Sequence, residues 1–159
     1  TVDLWITDGN QAMINAIQAK FPASQRQRCM VHKLANVLGY VIEKYRAEVE
    51  TDFKRIFYQD SRVKADQEAA AFREKYRQLF PEAIACMDRD WEACLTFYAF
   101  PKQHWIRIRT TNLIERLFLE VKKRSKKMAA PFRNEGSCLL LVYAVVRSIK
   151  FQNVAMKSA

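Results

Sequence analysis

Residues 2–31 read VDLWITDGNQAMINAIQAKFPASQRQRCMV, and this stretch decides the fold class. The apolar run Val2–Thr7 is typical of a short strand, and Asp8-Gly9 ends it with a turn signal. Helical spacing of apolar residues follows from Asn10 to Lys20, and Gln25 to Val31 predicts a second strand. The order strand, helix, strand indicates a chain with both kinds of secondary structure.

Helical patterns dominate the rest of the chain. Apolar positions from His32 to Tyr58 recur at spacings of three and four, which predicts a long amphipathic helix that breaks, if anywhere, near Thr51. Further helices are predicted from Val63 to Phe80 and from Ala83 to Phe97. The sequence therefore predicts an α+β chain that is mostly α, with a block of helices after the second strand.

The last third of the chain is predicted to hold two more helices. A short irregular or extended piece, Gln103 to Arg109, precedes a helix from Asn112 to about Lys127. Ser137 is a candidate cap for a final helix through about Phe151. That last helix is apolar on most sides, so we expect it to be buried.

Composition indicates one globular chain whose charge is unevenly distributed. The 159 residues carry a formal net charge of +10. Residues 1–100 hold fourteen basic and fourteen acidic side chains, whereas residues 101–150 hold twelve basic and three acidic ones. Positive charge concentrated in this way favours a phosphate-bearing partner such as nucleic acid, although a solvated basic face remains the alternative. The longest apolar stretch, Cys138 to Val146, is too short to cross a bilayer.

Two carboxylates occupy positions where chemistry is plausible, and each has an ordinary structural reading as well. Asp8 follows the first strand, where a side chain projects into the crevice of an open α/β sheet, but it also suits a turn or a helix cap. Glu115 follows Asn112 by three residues, as in a capping box. It also shares a helix face with Lys122 and Lys126, which suits a metal ligand beside a phosphate backbone.

Cys29-x-x-His32 is half of a zinc-binding pattern without a second half at ligand spacing. A buried cysteine with a hydrogen-bonded histidine is the favoured interpretation, ahead of a zinc site or a nucleophile pair. The four cysteines follow no disulfide pattern and are expected to be reduced. Trp91 is expected in the core, and Trp105 either packs or stacks on an unpaired base.

Taken in order, the motifs resemble one family. Thr7-Asp8-Gly9 is followed by Gln27-Arg28-Cys29-x-x-His32-Lys33, then by Arg109-Thr110-Thr111-Asn112-x-Ile114-Glu115-Arg116 and a basic run. This arrangement resembles the Mutator-type bacterial insertion-sequence transposases over essentially the whole chain. The resemblance implies a ribonuclease-H-like catalytic core with an Asp-Asp-Glu triad. It assigns residues 1–32 and 101–159 to that core and residues 33–100 to an all-helical insertion.

The resemblance also implies site residues, a cofactor and partners. Asp8 and Glu115 become the second Asp and the Glu of the triad, which hold divalent Mg or Mn ions. Cys29 and His32 belong to a family motif whose role stays open. The partners expected are transposon-end and target DNA and a second copy of the protein, in the bacterial cytoplasm and at the nucleoid during activity. The residues expected to contact DNA are Arg109, Asn112, Arg116, Lys122, Lys123, Arg124, Lys126 and Lys127.

One part of the family pattern has no counterpart in this sequence. The first Asp of the triad belongs on a strand upstream of Thr1, so we expect an incomplete metal site and an inactive chain when it stands alone. The alternative function is a DNA-binding or interaction module derived from a transposase, without catalysis. A ribonuclease H is a third candidate that lacks the Arg109–Arg116 motif.

Overall fold

The computed structural model describes residues 2–127 and 132–148 of the chain. The chain divides into two compact units, residues 1–111 (unit 1) and residues 112–159 (unit 2). Helices predominate, and the strands described are two in number and parallel. The predicted mostly α class with a small β component is therefore confirmed, while the ribonuclease-H-like core and the predicted domain division stay predictions.

Unit 1 begins with the predicted strand, helix and strand. Strand β1 (Leu4–Thr7) pairs in parallel with β2 (Gln25–Arg28), and helix α1 (Gln11–Lys20) connects them. The side chain of Asn10 caps α1 by accepting a 3.1 Å hydrogen bond from the Met13 N–H. Strand β2 ends at Arg28, earlier than the predicted Val31, because helix α2 starts two residues later.

The long helix predicted from His32 to Tyr58 is two helices, α2 (Met30–Leu38) and α3 (Glu43–Phe57). The break lies at residues 39–42 and not near Thr51. Gly39 disfavours the helical state. The N–H groups of Tyr40 and Val41 then bond to carbonyls three residues earlier, as in a 3-10 turn, and not four. Thr51 lies inside α3, and its hydroxyl donates to the Ala47 carbonyl at 2.8 Å.

The following helices are α4 (Arg62–Tyr76), α5 (Pro81–Asp88) and α6 (Trp91–Leu95). The predicted helix Ala83–Phe97 is interrupted at Asp90, whose φ of 60° is left-handed. Two 3-10 turns and α7 (Trp105–Ile108) complete the block. For the piece predicted as irregular or extended, Gln103 to Arg109, the extended alternative is wrong, because a 3-10 turn and the single turn of α7 lie there. The Trp105 indole donates to the Phe100 carbonyl at 2.6 Å.

The core of unit 1 lies within this helical block. Residues 33–100, all of them described, contain helices and turns and no strand, as predicted. Helix α2 packs on α3 and α5, and α3 packs on α4. Trp91 is buried here as predicted, and Trp105 packs edge-to-face on neighbouring rings. The largest fully buried side chains of the block include Phe53, Ile56, Phe57, Tyr76, Met87 and Phe97.

Unit 2 contains α8 (Asn112–Lys126) and α9 (Glu135–Ser148), which pack against each other. Helix α9 starts at Glu135, before the predicted Ser137, because the Asn134 side chain accepts from the Ser137 N–H at 2.9 Å. The predicted end near Phe151 lies outside the described residues.

Burial in unit 2 departs from the prediction. Val145 is the one buried side chain among its described residues, whereas several large apolar side chains of α8 and α9 are exposed. The expected burial of α9 is therefore wrong for the described residues. None of the described helices is long and apolar enough to serve as a membrane span.

Candidate active site

Asp8 lies in the turn that leaves the C-terminal end of β1, and its side chain is exposed. One carboxylate oxygen accepts a 3.0 Å hydrogen bond from the Asn10 N–H, so Asp8 stabilises the turn while Asn10 caps the helix. A carboxylate at this edge of parallel strands, open to solvent and fixed by its own turn, is positioned to bind a ligand.

The turn that carries Asp8 rests on Arg28. Gly9 has a φ of 92°, and a Cβ atom at this position would lie 2.2 Å from the Arg28 Cζ. The Arg28 side chain is buried, and its Nε and Nη1 atoms have no hydrogen-bond partner among the described residues. Sequence reasoning missed this contact, although the pairing of Thr7 with Arg28 in the sheet register brings the two strand ends together.

Cys29 and His32 meet at Thr111. The Cys29 Sγ lies 3.2 Å from the Thr111 Oγ1 and 3.3 Å from the Thr111 backbone N, and the same hydroxyl lies 3.4 Å from the His32 Nδ1. Burial raises the pKa of the Cys29 thiol, but hydrogen bonds from Thr111 and His32 outweigh it, so the pKa is lowered. The predicted buried cysteine beside a hydrogen-bonded histidine is confirmed, with Thr111 as a partner that the sequence did not indicate.

Gln27 and Lys33 join the same segment to the helical block. The Gln27 amide donates to the Cys94 carbonyl and accepts from the Phe97 N–H, both at 2.8 Å, inside the buried interior. Lys33 donates to the Arg89 carbonyl, and burial lowers the pKa of its ammonium group. The segment Gln27–Lys33, which we call the junction segment, therefore contacts the Asp8 turn, the helical block and Thr111.

Arg109 is buried and used inside unit 1. Its Nη1 donates to the Phe57 carbonyl at 2.9 Å, its guanidinium lies 3.9 Å from the Tyr58 ring centroid, and its carbonyl accepts from the Met30 N–H at 3.0 Å. These contacts hold the guanidinium inside unit 1. The predicted DNA contact of Arg109 stays a prediction.

Glu115 lies in the first turn of α8 with an exposed side chain, and Asn112 and Arg116 are exposed beside it. The helix dipole makes the first turn favourable for a carboxylate. Glu115 belongs to unit 2 and Asp8 to unit 1. Within unit 1 the structure brings the junction segment into direct contact with Thr111.

The basic run of α8 is exposed, and part of it is neutralised locally. Glu120 binds Lys123 at 2.9 Å and Arg124 at 2.6 Å, and these bonds lower the pKa of its carboxyl. Lys122, Lys126 and Lys127 form no ion pair with any residue in the described ranges. Of the five basic residues between 122 and 127, three therefore keep a charge without an ion pair to the described residues.

Comparison with known proteins follows the same motifs. A sequence model of the Mutator family of transposases matches residues 1–154. The chain is 35% identical over 143 residues to the transposase for insertion sequence element IS6120 of Mycolicibacterium smegmatis. That alignment covers 90% of this chain and 44% of the relative. It is 33% identical over 124 residues to the transposase for insertion sequence element IST2 of Acidithiobacillus ferrooxidans. That alignment covers 78% of this chain and 42% of the relative. The chain thus spans less than half the length of these relatives.

Proposed function

Because the chain belongs to the Mutator family of transposases, we propose that it forms part of the catalytic region of an enzyme that cuts transposon ends and joins them to target DNA. The observation that carries this proposal is the exposed Asp8 carboxylate at the end of a parallel strand, on a turn fixed by Asn10 and packed against Arg28. A buried arginine under a solvent-facing acidic turn gives that turn a defined position, which a ligand site needs.

The donor chemistry of the two proposed ligands suits Mg²⁺ or Mn²⁺. Asp8 and Glu115 offer carboxylate oxygens, the donors that these hard cations prefer. The described residues contain no group of three or more potential metal ligands, so these two are proposed as part of a ligand set that includes a further carboxylate. When bound, such ions activate the attacking oxygen and stabilise the leaving oxygen in phosphoryl transfer.

The basic surface of α8 is proposed to bind the DNA backbone. Lys122, Lys126 and Lys127 have no competing carboxylate among the described residues, and Asn112 and Arg116 are exposed near Glu115. Cations on an exposed helix contact phosphates without reading bases, so this surface contributes affinity and orientation. Because transposition brings two DNA ends together, we propose that the protein works as a homo-oligomer in the bacterial cytoplasm.

The experiment is a nicking assay on transposon-end DNA in Mg²⁺ or Mn²⁺. It uses the chain as given and a version extended upstream by the corresponding segment of the Mycolicibacterium smegmatis relative. We expect Asp8→Asn and Glu115→Gln each to lower the cleavage rate of the extended form by at least a hundredfold and to leave DNA affinity within about threefold. Asp3→Asn, an exposed acidic residue before β1, is the matched control and should cleave normally.

The alternative function is a DNA-binding module without catalysis. The exposed cations of α8 favour it, and so does the lack of any group of three potential metal ligands among the described residues. It predicts binding that weakens steeply with salt and does not depend on a divalent ion. Salt-sensitive binding without cleavage by either form would favour this alternative. Cleavage that survives both carboxylate changes would remove Asp8 and Glu115 from the active site.

A further inference from the structure

Cys29 and His32 are the residues of the junction segment that the proposed function does not use. Cys29 is fully buried, and the described residues place no third metal ligand near the pair. A buried thiol is shielded from substrate, and two ligands do not make a structural zinc site. Both residues contact Thr111, the last residue before α8.

Several hydrogen bonds from this region reach the short stretch between α7 and α8. Both the N–H and the hydroxyl of Thr111 lie within hydrogen-bond distance of the Cys29 Sγ. One step along the chain, the Met30 N–H donates to the Arg109 carbonyl at 3.0 Å. The start of α2 is therefore bonded to residues 109 and 111 through both backbone and side-chain groups.

We infer that Cys29 and His32 are positioning residues that act through Thr111 on the start of α8, and hence on Glu115. Glu115 follows Thr111 by four residues, within the first turn of α8, so the position of Thr111 sets where that turn begins. The inference rests on the proposed function for the role of Glu115. The contact itself lies entirely inside unit 1 and does not depend on that role.

The chemistry of the three groups indicates which of them donates and which accepts each hydrogen bond. The Thr111 hydroxyl has one proton and lies within hydrogen-bond distance of both the Cys29 Sγ and the His32 Nδ1, so of these two it donates to one and accepts from the other. Donation to the Cys29 Sγ, which also receives the Thr111 N–H, leaves the hydroxyl oxygen to accept from a His32 Nδ1–H. In this arrangement His32 orients the hydroxyl and the thiol receives two donors.

The test uses two nearly isosteric substitutions. Thr111→Val removes the hydroxyl at constant shape, and Thr111→Ser keeps it. We expect Thr111→Val to speed hydrogen–deuterium exchange of the amides at residues 115–118, the first ones bonded within α8, by about three- to tenfold, the effect of one lost net hydrogen bond. Thr111→Ser should exchange like the parent. Equal exchange in the parent and both variants would overturn the inference.

A second readout separates positioning from general stability. In the upstream-extended form, Thr111→Val should raise the Mn²⁺ concentration for half-maximal cleavage and leave DNA affinity unchanged, with Thr111→Ser restoring the parent value. If Thr111→Val fails to fold, Cys29→Ala and Cys29→Ser replace the pair, because serine keeps an acceptor and alanine does not. If Thr111→Val speeds exchange but the extended parent protein never cleaves DNA, the proposed function is wrong. The positioning of Thr111 by Cys29 and His32 would still stand.

Discussion

The helical block of unit 1 and the helix pair of unit 2 differ in how far they bury large apolar side chains. Both are built from amphipathic helices, yet Phe53 of α3 is 0% exposed and Phe118 of α8 is 63% exposed. In unit 1 each of the helices α2 to α5 packs on two other helices, whereas α8 and α9 are described packing on each other. Among the described residues, unit 1 therefore holds an extended core, whereas in unit 2 one side chain, Val145, is buried.

The two regions also differ in how they use charge. Acidic and basic side chains balance in residues 1–100, and on the helical block they form local ion pairs such as Arg73 with Asp88 at 2.8 Å. On α8 the basic residues outnumber their acidic partners. We infer that unit 1 is a frame that fixes the Asp8 turn and Thr111, and that unit 2 presents the cations and Glu115.

The largest expected difference between the regions is in the cost of removing an aromatic ring. Phe53→Ala should lower the free energy of unfolding by about 3–5 kcal/mol, because it empties a closed core. Phe118→Ala should change it by less than about 0.5 kcal/mol. In urea denaturation, tryptophan fluorescence reports on unit 1, since Trp5, Trp91 and Trp105 all lie there, and far-UV circular dichroism also follows the helices of unit 2. Similar losses for both variants would break the comparison.

A smaller difference in stability is expected between alanine substitutions at two glycines, one in each unit. Gly9→Ala should cost about 1–3 kcal/mol from the positive φ alone, and more because the Arg28 guanidinium must move. Gly136→Ala should be neutral or stabilise α9 by up to about 1 kcal/mol, since its nearest contact is an ordinary 3.4 Å. Tryptophan fluorescence follows the first variant and far-UV circular dichroism the second. A harmless Gly9→Ala would contradict the packing of this turn on Arg28.

The smallest effect concerns a polar contact at the edge of the core. The Asp52 carboxylate accepts from the Lys75 Nζ at 2.7 Å and the Tyr76 hydroxyl at 2.8 Å. Burial raises the pKa of Asp52, but these hydrogen bonds outweigh it, so the pKa falls below its ordinary 3.8. We therefore expect Asp52→Asn to cost about 1 kcal/mol at neutral pH, discounted because Lys75 is half exposed.

The pH dependence checks the sign of this contribution. Because the folded pKa of Asp52 is depressed, its stabilisation is fully present above about pH 3.8 and is lost as the pH falls through the folded pKa. The stability gap between the parent and Asp52→Asn should therefore narrow below pH 3.8 in urea titrations at several pH values. Glu74→Gln, which removes an exposed pair with Arg77, is the control and should leave stability nearly unchanged. A gap that stays constant into acid would refute the assignment.

Local pattern predicted most of the secondary structure and failed where neighbouring signals competed. The helical block was foreseen because apolar spacing of three and four residues is set within each helix. The break at Gly39 was missed since the apolar spacing runs through it without interruption. The extended alternative at residues 103–109 was wrong because a side chain, Trp105, bonds back to the chain five residues earlier.

By itself the sequence determined the strand, helix, strand order, the helical block, the site of the positive charge and the family motifs. Only the tertiary structure decided that Arg28 lies under Gly9, that Arg109 is buried and that Thr111 joins Cys29 and His32. Periodicity and charge are properties of neighbouring residues, and so they are visible in the chain. Cys29 and Thr111 lie 82 positions apart, and their contact exists only because the helical block between them folds and returns the chain to the end of β2.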